Sequence, residues 1–374
     1  MNRNIDPEAM RAVVAQFDVR GRMLDARAWG SGHIHDTFRV VLEHGGPPRP
    51  YILQRMNTRV FPDADRLMEN ICRVTAHLRA RLARMPGRDP DRETLTVVPT
   101  RGGRPYLRAG NGDCWRCYLF IANARTVDVI ERPRQAREAA RAFGEFQKLL
   151  ADLPGPPLHE ILPHFHDTPR RIAALEQAIA ADACGRAKDC GPEIAFAGEL
   201  KPQAGIVVDR LARGELPRRV THNDTKINNV MLDEADDRAV CVIDLDIVMP
   251  GSVLFDFGDE VRSGVGRFQE NDADLSRVGV DLEIFEQLAA GYLESAGGFL
   301  TDAELDGLAS CGALITGTIG IRFLTDYLQG DVYFQTHRPR ENLDRCRTQF
   351  ALVRSIRRHE AAMAAIVKRC AKRS

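Results

Sequence analysis

The fold is decided by two neighbouring stretches, Val220-Thr-His-Asn-Asp-Thr-Lys-Ile-Asn-Asn-Val-Met-Leu232 and, after a polar break, Val240-Cys-Val-Ile-Asp-Leu-Asp246. The first is a polar loop with a carboxylate at Asp224 and an amide at Asn229. The second is a β-branched run, which predicts a strand with Asp244 at its end. We expect this strand to deliver a second carboxylate to the mouth of the loop.

These side chains have the spacing of a kinase catalytic loop, in which a histidine, here His222, comes two residues before the base. Phosphoryl transfer needs a group that orients and deprotonates the acceptor hydroxyl, and Asp224 is the candidate base. It also needs ligands for the cations on the phosphates. Asn229 and Asp244 offer the hard oxygen atoms that Mg²⁺ prefers. The combination, more than any single residue, predicts kinase-type chemistry.

A glycine turn lies nearer the N-terminus, at Gly30, Ser31, Gly32 and His33, and the alternating residues after it predict a strand. Backbone amides in such a turn can bind the phosphates of a nucleotide. Two glycines between strands are more often a simple hairpin. Beside a kinase-type loop, the turn is the candidate nucleotide-binding segment.

The next predicted strand, Tyr51-Ile-Leu-Gln-Arg-Met56, leads into an amphipathic helix over residues 61–85. Kinases carry a phosphate-contacting lysine on this strand, paired with a glutamate of the helix. The basic candidate here is Arg55, or the position falls on Gln54 if the alignment moves by one residue. Glu69 is the carboxylate in mid-helix. Either Arg55 pairs with Glu69, or both are surface residues.

Strand patterns end near residue 121 and helical patterns follow. This change predicts an N-terminal nucleotide-binding lobe over 1–121 and a helical lobe over 122–374 that carries the catalytic loop. The fold class is α+β, with an antiparallel sheet in the first lobe. Strands are predicted at 95–99, 105–107 and 115–121, and helices before Pro154 and over 168–183, 200–213, 281–296, 302–328 and 340–370.

Composition excludes several classes of function. Lys+Arg and Asp+Glu both number 52, so no excess charge favours nucleic acid or a membrane as partner. Residues 1–20 lack the apolar core of an export signal, and nine cysteines are an odd number, which predicts a reduced, cytoplasmic protein. The uncharged stretch 307–321 is too short to span a bilayer and predicts a buried helix. Cys114 and Cys117 lack a second pair nearby and are interpreted as structural.

A closer likeness is carried by Gly30-Ser-Gly-His-Ile-His-Asp-Thr-Phe38, Tyr51-Ile-Leu-Gln-Arg-Met-Asn57, Phe165-His-Asp-Thr168, His222-Asn-Asp-Thr-Lys-Ile-Asn-Asn-Val-Met-Leu232, Ile243-Asp-Leu-Asp-Ile-Val-Met-Pro-Gly-Ser252 and Gly320-Ile-Arg-Phe-Leu-Thr-Asp-Tyr-Leu-Gln-Gly-Asp-Val-Tyr-Phe334. Together these segments resemble the bacterial N-acetylhexosamine 1-kinases, within the superfamily of aminoglycoside phosphotransferases and choline kinases. That superfamily has a bilobal, protein-kinase-like fold. The resemblance runs from the first strand to beyond residue 330.

The resemblance implies ATP- and Mg²⁺-dependent phosphorylation of the anomeric hydroxyl of N-acetylglucosamine or N-acetylgalactosamine. It implies Asp224 as base and Asn229 with Asp244 as metal ligands. Arg322 and Tyr333 look like the sugar-contacting Arg and Tyr of that family. A guanidinium and a phenol suit sugar hydroxyls and an acetamido oxygen.

Asp246 and His166 are further candidates for the substrate site, with Asp246 facing either the sugar or the metal. No Ala-Pro-Glu segment follows Asp244, so a protein substrate is not expected; the expected partners are ATP and a small sugar. The stretch Asp256-Phe-Gly-Asp259 is interpreted as a brace for the catalytic loop.

The identity of the acceptor stays open at this point. The same chemistry could act on another sugar, an aminoglycoside or an amino alcohol, because specificity depends on a few pocket residues. A nucleotide-binding module without catalysis is the third interpretation. The joint presence of Asp224, Asn229 and Asp244 argues against it.

Overall fold

The computed structural model describes residues 6–30 and 34–372. Within these ranges the chain forms two compact units. The first unit contains residues up to 124 together with segments 153–162 and 245–248, and the second contains 125–152, 163–244 and the residues from 249 onward. The sequence places a boundary at residue 121, and its patterns give no sign that two short later segments join the first unit.

The first unit is built on an antiparallel sheet. Its strands lie in the order β1-β2-β3-β6-β4, with β5 paired to β6. Burial alternates along β2, as a pleated strand with one covered face requires. The strands are β1 (Arg22–Ala28), β2 (Asp36–Glu43), β3 (Arg49–Met56), β4 (Val97–Val98), β5 (Leu107–Arg108) and β6 (Cys114–Leu119).

Three helices belong to the first unit: α1 (Pro7–Val14), α2 (Ala64–Leu82) and α3 (Pro90–Glu93). Met10 of α1 lies in one buried apolar cluster with Phe38 of β2, so α1 covers one face of the sheet. Helix α2 begins where the side chain of Asp63 accepts the backbone N–H of Arg66 at 3.0 Å.

The second unit is mainly helical. Its short strands form the sheet β10-β9-β7 and the pair β11-β8. The helices are α4 (Pro133–Leu150), α5 (Thr168–Ala181), α6 (Gly191–Glu199), α7 (Ile206–Ala212), α8 (Val253–Gly264), α9 (Leu282–Ala296), α10 (Asp302–Leu328) and α11 (Glu341–Ala371). The strands are β7 (Ala124–Arg125), β8 (Arg219–Thr221), β9 (Val230–Asp233), β10 (Ala239–Val242) and β11 (Met249–Gly251).

Helix α10 packs against α5, α8 and α11. It begins with a capping box in which the side chains of Thr301 and Glu304 each accept the other's backbone N–H. By length and composition alone α10 could cross a membrane, but 78% of its apolar window is buried inside the protein. The predicted buried helix over 307–321 is therefore confirmed.

Close backbone approach explains a glycine in α8. A Cβ added to Gly258 would lie 2.7 Å from the carbonyl oxygen of Cys311 in α10. Any side chain at this position would push the two helices apart.

The α+β architecture, an antiparallel sheet followed by a larger helical part, is confirmed. The helix predicted over 200–213 is wrong in its bounds, since α7 spans Ile206–Ala212 and α6 occupies Gly191–Glu199. A proline in the first turn of α6 is compatible with a helix start, where its missing N–H leaves no acceptor unpaired. Strand β1 was not anticipated because it lacks a clear apolar period, and helix α8 because charged residues and glycines interrupt its apolar positions.

Candidate active site

His222 organises the predicted catalytic loop. Its ring is fully buried and meets Phe143 and Phe146 edge-on at 5.4 and 5.8 Å. Nδ1 accepts the backbone N–H of Asp224 at 3.2 Å, so the other ring nitrogen carries the proton. This Nε2–H donates to the carbonyl oxygen of Ile243 at 2.9 Å. One imidazole thus joins the loop to the residue before Asp244.

Asn229 fixes the carboxylate of Asp224. Its amide nitrogen donates to the backbone carbonyl of Asp224 at 2.8 Å and to Oδ2 of the same residue at 3.0 Å. These bonds use the nitrogen and leave the amide oxygen of Asn229 as a possible metal ligand. They also leave Oδ1 of Asp224 as the atom that can accept the proton of a hydroxyl.

Asp244 follows β10 and is exposed, with φ of 59°. This left-handed conformation costs a non-glycine residue about 1–3 kcal/mol, and such strain is common at functional sites. The backbone N–H of Ile243 donates to the carbonyl of Asn229 at 2.9 Å, so the two predicted metal ligands come from adjoining backbone.

This donor set fits Mg²⁺, which usually takes one or two carboxylate or amide oxygens and completes its shell with water and phosphate. Among the described residues no cluster of three or more His, Cys, Asp or Glu side chains could hold a metal alone. A site with few protein ligands is the arrangement expected when a nucleotide supplies the rest.

Asp256, in the first turn of α8, supports the catalytic loop through hydrogen bonds to its backbone. Its carboxylate accepts the backbone N–H groups of His222 and Asn223 at 2.9 and 2.7 Å. Gln147 donates to the same carboxylate at 2.6 Å, and the backbone carbonyl of Asp256 accepts the hydroxyl of Thr225. Asn223 has φ of 65°, which these bonds help to hold. The predicted bracing role is confirmed for Asp256.

Burial raises the pKa of Asp224 to about 6, and the nearby charge of Asp259 acts in the same direction. Lys226 and Arg262 oppose this shift. Arg262 is held by Asp259 at 2.6 Å and by Glu270 at 2.8 Å. A carboxylate with a pKa near neutrality is a better general base than an ordinary aspartate.

His166 lies beside the loop. Its Nε2–H donates to the backbone carbonyl of Asn223 at 2.9 Å, while its buried Nδ1 has no hydrogen-bond partner among the described residues. Burial lowers the pKa of His166 to about 4, so the ring is neutral. The structure therefore brings this predicted substrate residue next to Asp224, with a free acceptor atom.

Arg322 and Tyr333 lie in contact, and their predicted contact with a sugar stays a prediction. The guanidinium of Arg322 lies over the rings of Phe165, Tyr333 and Phe334, at 4.8, 5.5 and 5.3 Å from their centroids. Phe165 is also the neighbour of His166, whose ring it meets edge-on at 4.7 Å. These contacts form what we call the arginine cluster: Arg322, Phe165, His166, Tyr333 and Phe334.

Asp326, one turn beyond Arg322 in α10, holds the segment that carries Tyr333. Its buried carboxylate accepts the backbone N–H groups of Val332, Tyr333 and Phe334 at 2.9, 2.7 and 2.9 Å. Asn342 of α11 donates to it as well, at 2.9 Å. A sequence pattern could not assign this role, because the acceptor and its three donors belong to different elements.

In the first unit a buried polar chain crosses the sheet. Gln54 donates to the hydroxyl of Thr37 at 3.0 Å and accepts from Nε of Arg116 at 2.8 Å. The Nη1 and Nη2 atoms of Arg116 donate to the two carboxylate oxygens of Asp246 at 2.5 and 2.7 Å. Burial alone would raise the pKa of Asp246, but the charge of Arg116 and the neighbouring ring of His35 hold it well below its usual range. The proposed sugar or metal contact of Asp246 stays a prediction.

Arg55 lies on the other face of the same sheet. It donates to Asp36 at 2.5 and 3.0 Å, lies 3.5 Å from Asp113 and stacks over Trp115. Its predicted pairing with Glu69 is wrong, since Glu69 contacts Nε2 of His159 at 2.9 Å. Successive residues of a strand face opposite sides, so the face of Gln54 cannot also be the face of Arg55.

Gly30 has φ of 75°, a conformation that glycine adopts at no steric cost, as a turn requires. Ser31, Gly32 and His33 lie outside the described residues. The nucleotide-binding role of this turn and of Arg55 stays a prediction.

The sequence reading missed Arg116 and Gln147. Arg116 had a signal: it interrupts the apolar strand Cys114-Trp-Arg-Cys-Tyr-Leu119, and a charged residue in a buried strand needs a partner. Gln147 had none, because a polar residue on a long helix is normally exposed.

Known proteins share the family and the fold of this chain. The phosphotransferase enzyme family model matches residues 25–292. An aminoglycoside phosphotransferase from Alicyclobacillus acidocaldarius is 13% identical with a TM-score of 0.58, over 98% of this chain and 99% of that one. A choline kinase from Cryptosporidium parvum is 12% identical with a TM-score of 0.59, over 96% and 97%. A spectinomycin phosphotransferase in complex with ADP and spectinomycin is 12% identical with a TM-score of 0.57, over 95% and 98%.

Likeness at such low identity shows the fold alone, and that fold is protein-kinase-like, as the sequence predicts. Because the family model matches more than half of the chain, the identification goes one step further. The chain belongs to the phosphotransferase enzyme family, and it is an enzyme that transfers phosphate to a hydroxyl acceptor. The resemblance to the wider superfamily is confirmed, while the likeness to N-acetylhexosamine 1-kinases stays a prediction.

Proposed function

We propose that the protein transfers the γ-phosphate of ATP to the anomeric hydroxyl of an N-acetylhexosamine, giving the sugar 1-phosphate in the cytoplasm. Asp224 accepts the hydroxyl proton through Oδ1. Asn229 and Asp244 hold Mg²⁺, which offsets the charge of the phosphates when it is bound. The choice of carbon 1 rests on the resemblance of the motif segments to the sugar 1-kinases.

The arginine cluster is the observation that carries this choice of acceptor. It offers a guanidinium, a phenol and the unpartnered Nδ1 of His166 on the Asn223 side of the loop. Together these supply donors for hydroxyl and acetamido oxygens and an acceptor for a hydroxyl proton. Tyr333 is 51% exposed, which leaves most of its phenol for a ligand.

Cationic acceptors fit this cluster poorly. Choline and aminoglycosides carry ammonium groups, which favour carboxylates or open aromatic faces. Here the aromatic faces already hold the guanidinium of Arg322, and Arg171 adds a second cation that donates to the carbonyl of Phe165 at 3.0 Å. Like charges placed close together repel, so a neutral, oxygen-rich acceptor is favoured.

The test is a panel of acceptors that covers each alternative. ADP release is measured with N-acetylglucosamine, N-acetylgalactosamine, glucose, galactose, kanamycin, choline and ethanolamine. We expect the two N-acetylhexosamines to have the highest kcat/KM. Arg322→Met should lower kcat/KM for them by about 10- to 100-fold, with the KM for ATP unchanged, since a lost hydrogen bond to a charged group is worth about 1.5–3 kcal/mol.

Arg354→Met is the matched control, because Arg354 also stacks on an aromatic ring, that of Phe196 at 4.1 Å, on an exposed part of α11. It should leave the ranking and the rates unchanged. A higher kcat/KM for kanamycin, choline or ethanolamine than for either amino sugar would contradict the proposal.

A further inference from the structure

We propose that Arg116 and Asp246 form a positioning pair that fixes the backbone next to the metal-binding carboxylate of Asp244. The inference rests on the proposed Mg²⁺–nucleotide function but not on the identity of the acceptor. It assigns Asp246 a role different from sugar or metal contact.

The pair is built as a fixed joint. Arg116 is 2% exposed and Asp246 is 3% exposed, and they share two parallel N–H···O bonds. A fork of this kind sets both distance and direction. Nε2 of His35 adds a third contact at 3.4 Å from Oδ2 of Asp246. With these neighbours, the carboxylate of Asp246 is turned away from solvent and engaged inside the first unit.

The ring of His35 carries its proton on Nε2, the nitrogen that faces Asp246. Its Nδ1 accepts the backbone N–H of Asn57 at 3.0 Å, so the remaining proton is on Nε2, toward Asp246. His35 lies just after the glycine turn in the chain. The carboxylate of Asp246 therefore takes contacts from β6 and from the residue that precedes β2.

The chain around Asp244 is held on both sides. Before it, Ile243 is fixed by bonds from His222 and to Asn229. After it, Asp246 is fixed by Arg116, and the carbonyl of Val248 accepts from the amide of Asn70 in α2 at 3.1 Å.

Asp244, exposed and in the left-handed conformation, is the residue between these anchors. Because the backbone is fixed on both sides of Asp244, it determines how the carboxylate of this residue is oriented. Outer contacts of this kind orient metal ligands, and their loss typically costs about 10- to 100-fold in metal affinity or activity.

The sheet register explains why Arg116 has this place. Gln54 pairs with Arg116 across β3 and β6, and Arg55 pairs with Trp115. Paired residues share a face, so Gln54 and Arg116 lie on one side and Arg55 on the other. Gln54 is one of the two candidate positions for the kinase lysine, and its side-chain oxygen accepts from Nε of Arg116 at 2.8 Å, which helps to orient that guanidinium.

The experiment measures binding, so it does not depend on the acceptor. Isothermal titration calorimetry follows the non-hydrolysable analogue AMP-PNP binding to the full chain over a range of MgCl₂ concentrations and without Mg²⁺. For Arg116→Met and Asp246→Asn, we expect the Mg²⁺ concentration for half-maximal binding to rise about 10- to 100-fold. Affinity without Mg²⁺ should change less than threefold, a limit of about 0.6 kcal/mol.

A buried charge left without its partner can unfold the protein, so the double variant Arg116→Met/Asp246→Asn is included. It removes both charges and should keep the thermal unfolding midpoint closer to wild type while the Mg²⁺ requirement stays raised. Arg347→Met is the matched control: it breaks the 2.6 Å pair with the buried carboxylate of Glu193, between α11 and α6. It should lower stability and leave the Mg²⁺ dependence unchanged.

Three results would overturn the inference. The first is a Mg²⁺ dependence in the folded variants equal to wild type. The second is an equal loss of AMP-PNP affinity with and without Mg²⁺, which would make Arg116 a direct phosphate contact. The third is a raised acceptor KM as the sole change in Asp246→Asn. Wild-type protein that binds Mg²⁺–AMP-PNP but phosphorylates no amino sugar would contradict the proposed acceptor. The comparison of Mg²⁺ dependence between wild type and the variants would still test the positioning pair.

Discussion

At the scale of single residues, the function of each polar group in the loop depends on which of its atoms are not used in hydrogen bonds within the loop. Asn229 uses its amide nitrogen on Asp224 and keeps its oxygen, while Asp224 keeps Oδ1. His222 uses both ring nitrogens on backbone groups and is structural. The geometry is therefore compatible with the predicted roles of Asp224 as base and Asn229 as metal ligand, while His222 supports the loop from inside.

The raised pKa of Asp224 gives a prediction for pH dependence. The base works only when deprotonated, and its pKa is raised to about 6 chiefly by burial and next by Asp259. Protonation below this value removes the base, so kcat/KM should fall tenfold per pH unit below about pH 6, where an ordinary aspartate would stay active to about pH 4. The measurement is the pH profile of kcat/KM, which reports the free enzyme.

Asp259→Asn supplies the companion profile. Removing this charge lowers the pKa of Asp224, because a neighbouring negative charge favours protonation. Its acid limb should therefore lie at lower pH than that of wild type. A wild-type acid limb near pH 4, or an acid limb at higher pH in the variant than in wild type, would contradict the raised pKa of Asp224 and its cause.

The sequence could single out candidate residues but not their partners. Motif spacing points to Asp224, Asn229 and Asp244, because these lie close together in the chain, and their roles stay predictions. It missed the link from Asp246 to Arg116, since the register of β6 against β3 decides which side chains meet. It also left open whether Arg55 pairs with Glu69, and neither alternative included Asp36, which lies directly opposite in β2.

At the scale of elements, α10 has two separate functions. Its buried length packs against α5, α8 and α11, while its last turns carry Arg322 and the carboxylate that orders the segment 331–334. Thr318, one turn before Arg322, shares a 2.7 Å hydrogen bond with Thr168 at the start of α5. The segment with Phe165 and His166 is thereby attached to the same helix as the arginine that it contacts.

We predict that Asp326→Asn loosens the arginine cluster without touching the nucleotide. Replacing one acceptor oxygen by an amide leaves some of the N–H groups of Val332, Tyr333 and Phe334 without a partner. Hydrogen exchange at residues 332–334 should accelerate, and the KM for the acceptor should rise about 10-fold, which corresponds to about 1.4 kcal/mol, with the KM for ATP unchanged.

Asp306→Asn is the control for that variant, because Asp306 is an exposed carboxylate on the same helix. It should match wild type in both exchange and kinetics. Equal exchange at 332–334 in Asp326→Asn and wild type would show that the carboxylate does not order the segment.

Element positions were more predictable than element boundaries. Long helices such as α9 and α11 follow from apolar spacing, while α10 follows from its long uncharged stretch, which predicts a buried helix. Helix α8 was missed because charged residues and glycines interrupt the apolar positions of this short segment, although nearly all of it is buried. Asp256 lies inside because it bonds to the loop, and Asp259 and Arg262 lie inside because they bond to each other.

At the scale of the whole molecule, the change in pattern near residue 121 predicts a boundary, while the first unit extends to residue 124. The sequence could not show that segments 153–162 and 245–248 join the sheet unit. Their membership depends on single contacts, such as Asn70 with the backbone of His159 and Val248. No periodicity encodes such contacts.

The central claim is that Asp224 acts as the general base for phosphoryl transfer to the hydroxyl on carbon 1 of an N-acetylhexosamine. The direct measurement is ³¹P and ¹H NMR of the product formed from ATP, Mg²⁺ and N-acetylglucosamine or N-acetylgalactosamine. The account predicts that the wild-type product shows a phosphorus nucleus coupled to the anomeric proton. It also predicts that Asp224→Asn forms this product at a rate lower by about 100-fold or more. Phosphate on any other carbon, or product formed by Asp224→Asn at the wild-type rate, would contradict it.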